Sequence, residues 1–138
     1  MIPAPVPKHQ YVTLNLASEC RIAYRKCKNC KAYLPLDYVI ANDTILEPDL
    51  LVVCSKINNK FPDFPPSLVV EVLSPSTAIK DRHTKFELYE KQSEKYYLIV
   101  SADTEEVEVC EIVNDVYELK IKGRNFSHTF TFDDDCIA

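Results

Sequence analysis

The sequence predicts an α/β (α+β) domain in which helices pack on a mixed β-sheet. The first observation is the order of the predicted elements, α-β-β-β-α-β-β-β-β, which sets helices before and between strands. The second is a pair of apolar runs, Leu50 to Cys54 and Leu68 to Leu73, with apolar residues at successive positions. Such runs are typical of central strands covered on both faces. We therefore expect a sheet flanked by helices.

Length and composition predict one globular domain spanning residues 1–138. The chain is 46% hydrophobic and 27% charged, and a chain of this length buries about two-thirds of its unfolded surface. Its net charge of −5, from 16 basic and 21 acidic residues, argues against a general nucleic-acid coat protein but leaves room for a local basic groove. No apolar stretch reaches the roughly 18 to 20 residues that span a bilayer. The N-terminus also lacks the pattern of a signal peptide, so we expect a cytoplasmic protein without membrane contact.

The first half of the chain is predicted to contain a helix, two strands and a loop. Apolar positions at helical spacing predict an amphipathic helix from Lys8 to about residues 26–29. Residues 31–40 are rich in β-formers and predict a strand with a kink at Pro35. A turn at 42–43 leads into a second strand, 45–54. Residues 55–66, with two asparagines and three prolines, predict a loop.

The second half is predicted to alternate between a strand, a helix and further strands. The strand 68–73 leads through a Ser-Pro-Ser turn into a helix ending near Gln92. Residues 94–101 predict the next strand. Residues 107–113 and 116–121 predict a hairpin that turns at Asn114-Asp115. An edge strand at 127–132 and a solvated acidic end at 133–135 complete the prediction.

The six cysteines bear on disulfides and on metal ligands. In a cytoplasmic chain they are predicted to be reduced rather than bridged. Cys27 and Cys30 have the spacing of half a zinc knuckle, but no second Cys-x-x-Cys or His pair follows. Free thiols are therefore the prediction, and a zinc or redox site at these two residues is the alternative.

Two carboxylates attached to apolar runs are the candidate chemistry. Glu71 lies inside the run 68–73, where ionisation is costly unless a cation or hydrogen-bond donors meet it. Asp49 directly precedes the run 50–54, so neighbouring strands would let the two acids converge. Carboxylates ~4 Å apart repel by roughly 4 kcal/mol at an effective dielectric constant near 20, so such a pair shares a proton or holds a metal ion. Alternatively, Asp49 caps a turn and Glu71 pairs with Lys85 or Arg82.

An ordered set of motifs extends this observation. The chain contains Glu47-Pro48-Asp49, then Val-Glu-Val-Leu-Ser-Pro-Ser-Thr at 70–77, then Asp81, Lys85 and Tyr89, then the strand 95–100. In this order, and with His9-Gln10 opening the first helix, residues from about 5 to 111 resemble the Uma-Two family of restriction endonucleases. That family is a branch of the PD-(D/E)XK nuclease superfamily.

The resemblance implies a restriction-endonuclease-like fold and a magnesium-dependent endonuclease acting on DNA phosphodiester bonds. Asp49 and Glu71 would be metal ligands, with the Val72 backbone carbonyl as a third protein ligand. Mg²⁺ takes one or two carboxylates and keeps several waters, so two acids suffice; Mn²⁺ is expected to substitute. The resemblance also implies a homodimer.

The sequence departs from the superfamily pattern at the lysine. Leu73 stands two residues after Glu71, where the superfamily has Lys. Lys85 is the candidate catalytic replacement if the helix begins near Asp81. If the helix begins at Ser76, Lys85 lies about 13 Å further along at 1.5 Å per residue, and Lys80 is the nearer cation. The alternative for Lys85 is a surface pair with Asp81.

Other departures leave a second function open. The glutamate-bearing hairpin that usually precedes the first helix in this family is not expected in this chain, and Glu19 is the nearby acid that would substitute. Candidate DNA contacts come from two basic clusters and are Arg21, Arg25, Lys28, Lys80 and Arg82. A cluster at a helix end is also favoured by the helix dipole alone. The alternative function is a catalytically inactive nuclease-fold module that binds nucleic acid or another partner.

Overall fold

The computed structural model describes residues 7–25, 30–41, 44–57, 60, 62, 64–73 and 78–124, with the backbone alone at 41 and 78–81. Within this part the chain forms two helices and eight strands. In chain order they are α1 (Pro7–Tyr24), β1 (Lys31–Tyr33), β2 (Tyr38–Ala41), β3 (Thr44–Leu46), β4 (Leu50–Val53), β5 (Leu68–Leu73), α2 (Ala78–Lys91), β6 (Tyr96–Ser101), β7 (Val107–Val113) and β8 (Val116–Gly123).

Six of these strands form a mixed sheet in the order β1-β4-β5-β6-β7-β8. β5 and β6 are parallel, and the other neighbours in this sheet are antiparallel. The two apolar runs of the sequence become β4 and β5, which are adjacent and deeply buried. The prediction of a mixed sheet flanked by helices is confirmed.

Two predicted strands are each divided in the structure. The predicted strand 31–40 becomes β1 and β2, and the predicted strand 45–54 becomes β3 and β4. Pro35 lies at the first break and Pro48 at the second. Proline lacks the amide hydrogen that a strand donates to its neighbour, so each strand ends there. β2 and β3 then pair with each other in a separate two-stranded sheet.

The six-stranded sheet has a packed core on each face. On β5, Leu68, Val70 and Val72 face one cluster that includes Val12 and Tyr24 of α1. The alternate β5 residues face a second cluster, which includes Tyr89 of α2. Because side chains alternate across a strand, Glu71 shares the α2 face with its neighbours 69 and 73.

Helix α2 connects the parallel strands β5 and β6. Such a connection must carry the chain back along the sheet, so the helix runs over β5 towards the start of β6. The predicted hairpin of β7 and β8 is also present, and Asn114 and Asp115 have φ of 52° and 68°. Both values belong to the left-handed region that a tight hairpin turn requires.

The prediction of reduced cysteines is wrong for one pair, because Cys30 and Cys54 form a disulfide. β1 and β4 pair with Lys31 opposite Val53, which brings the cysteines just beyond this pair face to face. Strand pairing places the two cysteines together. The prediction of reduced cysteines depends on the expected cytoplasmic location, which carries no information about that geometry. Cys20 and Cys110 are free thiols.

Several sequence-based predictions fall outside the described residues. They are residues 26–29 at the predicted end of the first helix, Cys27 with its zinc or redox alternative, the turns at 42–43 and 74–76, the edge strand at 127–132 and the acidic end at 133–135. Within the described part, neither helix has the length and apolar character needed to cross a membrane.

Candidate active site

The pairing of β4 with β5 sets Asp49 opposite Glu71. Leu50 lies opposite Val70 in this antiparallel pair, so the next residues along the two strands are opposed as well. Asp49 is fixed by two hydrogen bonds to β5. Its Oδ2 accepts from the Val72 N–H at 2.8 Å, and its own N–H donates to the Val70 carbonyl at 3.0 Å. The two acids therefore meet on neighbouring strands.

Glu71 is a buried carboxylate with a partner on each oxygen. Its side chain is 2% exposed, and the Lys85 Nζ lies 3.2 Å from its Oε1. The Tyr89 hydroxyl donates to its Oε2 at 2.9 Å. Burial raises the pKa of the Glu71 carboxyl to about 7; Lys85 lowers it, the Asp49 charge raises it and the Tyr89 hydrogen bond lowers it. Glu71 therefore titrates near neutral pH.

Lys85 reaches the acids because α2 returns over β5. The helix begins at Ala78, and Lys85, two turns later, has come back beside Glu71 instead of moving away from it. The Lys85 ammonium therefore meets Glu71, and its surface pair with Asp81 stays a prediction. The side chains of Lys80 and Asp81 lie outside the described part. Leu73 packs at the margin of the apolar cluster under α2.

His9 is a site residue whose contact the sequence reasoning did not foresee. Its Nε2 lies 3.2 Å from the Asp49 Oδ1, and the two side chains are only 17% and 20% exposed. The Thr13 hydroxyl donates to the His9 carbonyl at 2.7 Å, while the His9 Nδ1 is buried without a hydrogen-bond partner in the described part. The signal in the sequence is His9-Gln10 at the start of the first helix, which forms part of the family resemblance.

A second acidic pair lies close to Asp49. A hydrogen bond with Asp37, followed by burial and the charges of Asp37 and Asp49, raises the pKa of the Glu47 carboxyl, whereas Lys85 lowers it. Glu47 belongs to the motif at 47–49, whereas Asp37 belongs to none of the motifs described above. Only the fold reveals that Asp37 joins this group.

The donor set fits a hard divalent ion. Among the described residues, no group of three or more His, Cys, Asp or Glu side chains is placed to hold a metal ion. Two carboxylates nevertheless suffice for Mg²⁺, which keeps several of its waters. Each carboxylate offers about four lone-pair sites, so the contacts of Asp49 and Glu71 leave acceptor capacity for an ion. At Val72 it is the N–H that contacts Asp49, and the carbonyl as a ligand stays a prediction.

The candidate DNA contacts are scattered. Arg21 and Arg25 lie exposed at the C-terminal end of α1, at the opposite end of this helix from His9. Arg82 is paired with Glu108 at 2.6 Å, so its charge is already compensated. Lys28 and the Lys80 side chain lie outside the described part, and Glu19 is exposed on α1.

The mixed sheet flanked by helices is a restriction-endonuclease-like fold, and it sets Asp49 opposite Glu71 beside the partly exposed Lys85. The chain belongs to the Uma2 (Uma-Two) family, described as "Putative restriction endonuclease", which it matches over residues 1–131. Its fold is similar to a crystal structure described as "a putative nuclease belonging to DUF820 from Anabaena variabilis ATCC 29413". The TM-score is 0.71 at 16% identity, over 97% of this chain and 76% of that chain. No curated protein matches this chain. The predicted family and fold are confirmed, and the family description supports a nuclease.

Proposed function

We propose that the protein is a metal-dependent endonuclease that hydrolyses DNA phosphodiester bonds at Asp49, Glu71 and Lys85. The observation that carries the proposal is the Lys85 ammonium 3.2 Å from Glu71, on the strand that also binds Asp49. A cation and two acids in one place can hold a phosphate, an ion and a water together. The family description supports the same class of reaction.

The ion would be held by Asp49, Glu71 and the Val72 carbonyl. When bound, Mg²⁺ or Mn²⁺ supplies positive charge to a phosphate oxygen and lowers the pKa of a water. The protein contributes the orientation of the acids. The Val72 N–H and His9 hold Asp49, and the Tyr89 hydroxyl holds Glu71. Burial and the Glu71 charge raise the pKa of Tyr89, so its hydroxyl keeps its proton and continues to donate.

Lys85 would take the place of the superfamily lysine, which Leu73 cannot supply. Its Nζ is a hydrogen-bond donor in the site, and a rotation away from Glu71 would direct it to a phosphate oxygen or to the attacking water. Lys85 is 24% exposed, so substrate can approach it. Its charge would stabilise the negative charge that develops on the phosphate in the transition state.

A catalytically inactive nuclease-fold module is the second candidate. Every oxygen of Asp49 and Glu71 already has a protein partner. Carboxylates that are all held by protein groups can persist without an ion, as expected for a nuclease fold that binds a partner and does not cleave it.

Plasmid cleavage with Mg²⁺, Mn²⁺ or EDTA distinguishes the two candidates. Asp49→Asn, Glu71→Gln and Lys85→Met should each abolish metal-dependent nicking. Glu118→Gln, an exposed acid on β8, serves as the matched control and should cut like wild type. Calorimetry should detect Mn²⁺ binding to wild type and not to Asp49→Asn. Equal nicking by all four variants and wild type, or no Mn²⁺ binding, would refute the enzyme proposal and leave the binding module.

The family resemblance extends the proposal to a homodimer, and the proposal keeps the cytoplasmic location expected from the sequence. The molar mass measured by light scattering tests the first part: twice 15.8 kDa is expected, and a single chain at micromolar concentration would contradict it. Fluorescence microscopy of a tagged protein tests the second, since enrichment at the membrane would contradict it.

A further inference from the structure

A cleft of about 500 Å³ opens between the end of α1 and the edge strand β1. Among the described residues its lining has basic, aromatic and cysteine side chains and no acid, with Arg21, Tyr24, Arg25, Cys30, Lys31 and Tyr33 as members. A second cleft, of about 410 Å³, shares Lys31 and Tyr33 with the first and adds Lys56. The Cys30–Cys54 disulfide joins the two, since one cysteine lines each cleft. We call this region, with Arg21, Arg25, Lys31, Lys56 and Tyr33, the β1 basic surface.

Within the described part of the chain, the cations of the β1 basic surface have no acidic partners. Among the described residues, Arg21, Arg25, Lys31 and Lys56 are exposed and form no ion pair, whereas many other cations do. Those paired cations are Lys8, Arg82, Lys85, Lys120 and Lys122. In a chain with a net charge of −5, four uncompensated cations around two connected clefts make a local positive potential that attracts anions.

The β1 basic surface lies far from the acids along two independent elements. Lys31 is opposite Val53, which is four residues from Asp49 and therefore about 13 Å away at 3.3 Å per residue. Arg21 is twelve residues from His9 on α1, or about 18 Å at 1.5 Å per residue. One strand of duplex DNA carries a phosphate about every 3.4 Å. The separation therefore corresponds to about four or five phosphates.

We propose that the β1 basic surface binds the phosphate backbone of a nucleic-acid strand at a distance from the acids. This inference rests on the proposed function, because it names where the same polymer continues beyond Asp49 and Glu71. The guanidinium groups of Arg21 and Arg25 suit phosphate oxygens, and Lys31 and Lys56 continue the track along β1. Half-buried Tyr33 offers a ring for an unpaired base. The surface provides affinity and sets the strand's path.

The test is equilibrium binding of fluorescent single-stranded and duplex DNA in EDTA, where no cleavage is needed. Arg21→Ala/Arg25→Ala is compared with Lys91→Ala/Lys120→Ala, which removes the same charge from α2 and β8. Two lost phosphate contacts should lower the slope of log K against log salt by about 1.8 for duplex and about 1.4 for a single strand. Affinity at 0.1 M salt should fall at least about tenfold, and only for the arginine variant. Arg21→Lys/Arg25→Lys should keep most of the slope.

The outcomes separate this inference from the proposed function. The inference would be overturned by equal salt slopes for Arg21→Ala/Arg25→Ala and for the control Lys91→Ala/Lys120→Ala. It would also be overturned by a wild type that binds no nucleic acid or prefers an acidic peptide. The form of DNA, duplex or single-stranded, for which Arg21→Ala/Arg25→Ala loses more affinity is the form that the surface binds. Binding that depends on the two arginines in a protein that cleaves nothing would support the surface and refute the nuclease. If cleavage is found, the arginine variant should raise KM and leave kcat unchanged.

Discussion

Replacing Lys85 with methionine tests whether the buried Glu71 carboxylate depends on this cation. Lys85 is 24% exposed and Glu71 is 2% exposed, so their contact is largely shielded from water. In Lys85→Met, Glu71 loses the charge that most lowers its pKa. Glu71 should then remain protonated in the folded variant at pH 8, because burial and the Asp49 charge both oppose its ionisation.

The magnitude follows from the pKa of Glu71. In wild type this pKa is about 7, compared with 4.5 for the unfolded chain. A carboxyl whose pKa is raised by folding stabilises the folded state fully below pH 4.5, and this stabilisation is lost as the pH rises through 7. Above pH 7 the unfolding free energy of wild type levels off, whereas that of Lys85→Met continues to fall. One pH unit corresponds to about 1.4 kcal/mol, so the variant should lose about 1.4 kcal/mol more at pH 8 than at pH 6.

Urea denaturation in EDTA, followed by circular dichroism at pH 6 and pH 8, measures the effect. The loss of the hydrogen bond and its packing should cost about 1 kcal/mol at both values, which gives about 1 kcal/mol at pH 6 and about 2.5 kcal/mol at pH 8. In a Glu71→Gln background the same lysine substitution should lose its pH dependence. A cost that is equal at the two pH values, or larger at pH 6, would refute the coupling of Lys85 to Glu71.

Three further perturbations test other parts of the structure. Tyr89→Phe should raise the pKa of Glu71, because it removes the hydroxyl 2.9 Å from Oε2, and should lower the unfolding free energy by about 1.5 kcal/mol at pH 8; an NMR titration that shows an unchanged or lower pKa contradicts this. Glu94 is fully buried, neither oxygen has a hydrogen-bond partner within the described residues, and burial raises its pKa. Glu94→Gln should therefore raise the unfolding free energy by about 1 kcal/mol or more at pH 8 and change it little near pH 4. A variant that is less stable than wild type at pH 8 would argue against a buried, unpartnered acid. The disulfide closes a sequence separation of 24 residues, so Cys30→Ala/Cys54→Ala should lower the unfolding free energy by about 3 kcal/mol, and a thermal midpoint equal to that of wild type would contradict it.

Features that depend on local pattern were predictable. The run 68–73 is apolar at successive positions, and it forms the buried strand β5 with Glu71 inside. Asn114 and Asp115 tolerate left-handed backbone conformations, and they make the predicted hairpin turn. The motif order from 47 to 100 also identified the family. The strand and the turn each depend on residues close together in the chain, and the motif order is read along the chain, so no distant contact had to be known.

The identity of the partners at the site was decided by tertiary structure. Measured along α2 alone, Lys85 lies too far from β5, yet the return of the helix over the sheet sets it against Glu71. His9 and Asp37 join the site only because α1 and the chain before β2 come to the same end of β4 as Asp49. The Cys30–Cys54 bridge likewise follows from the register of β1 on β4. The sequence determined which residues are costly to bury, and the packing directions and strand register determined which groups compensate them.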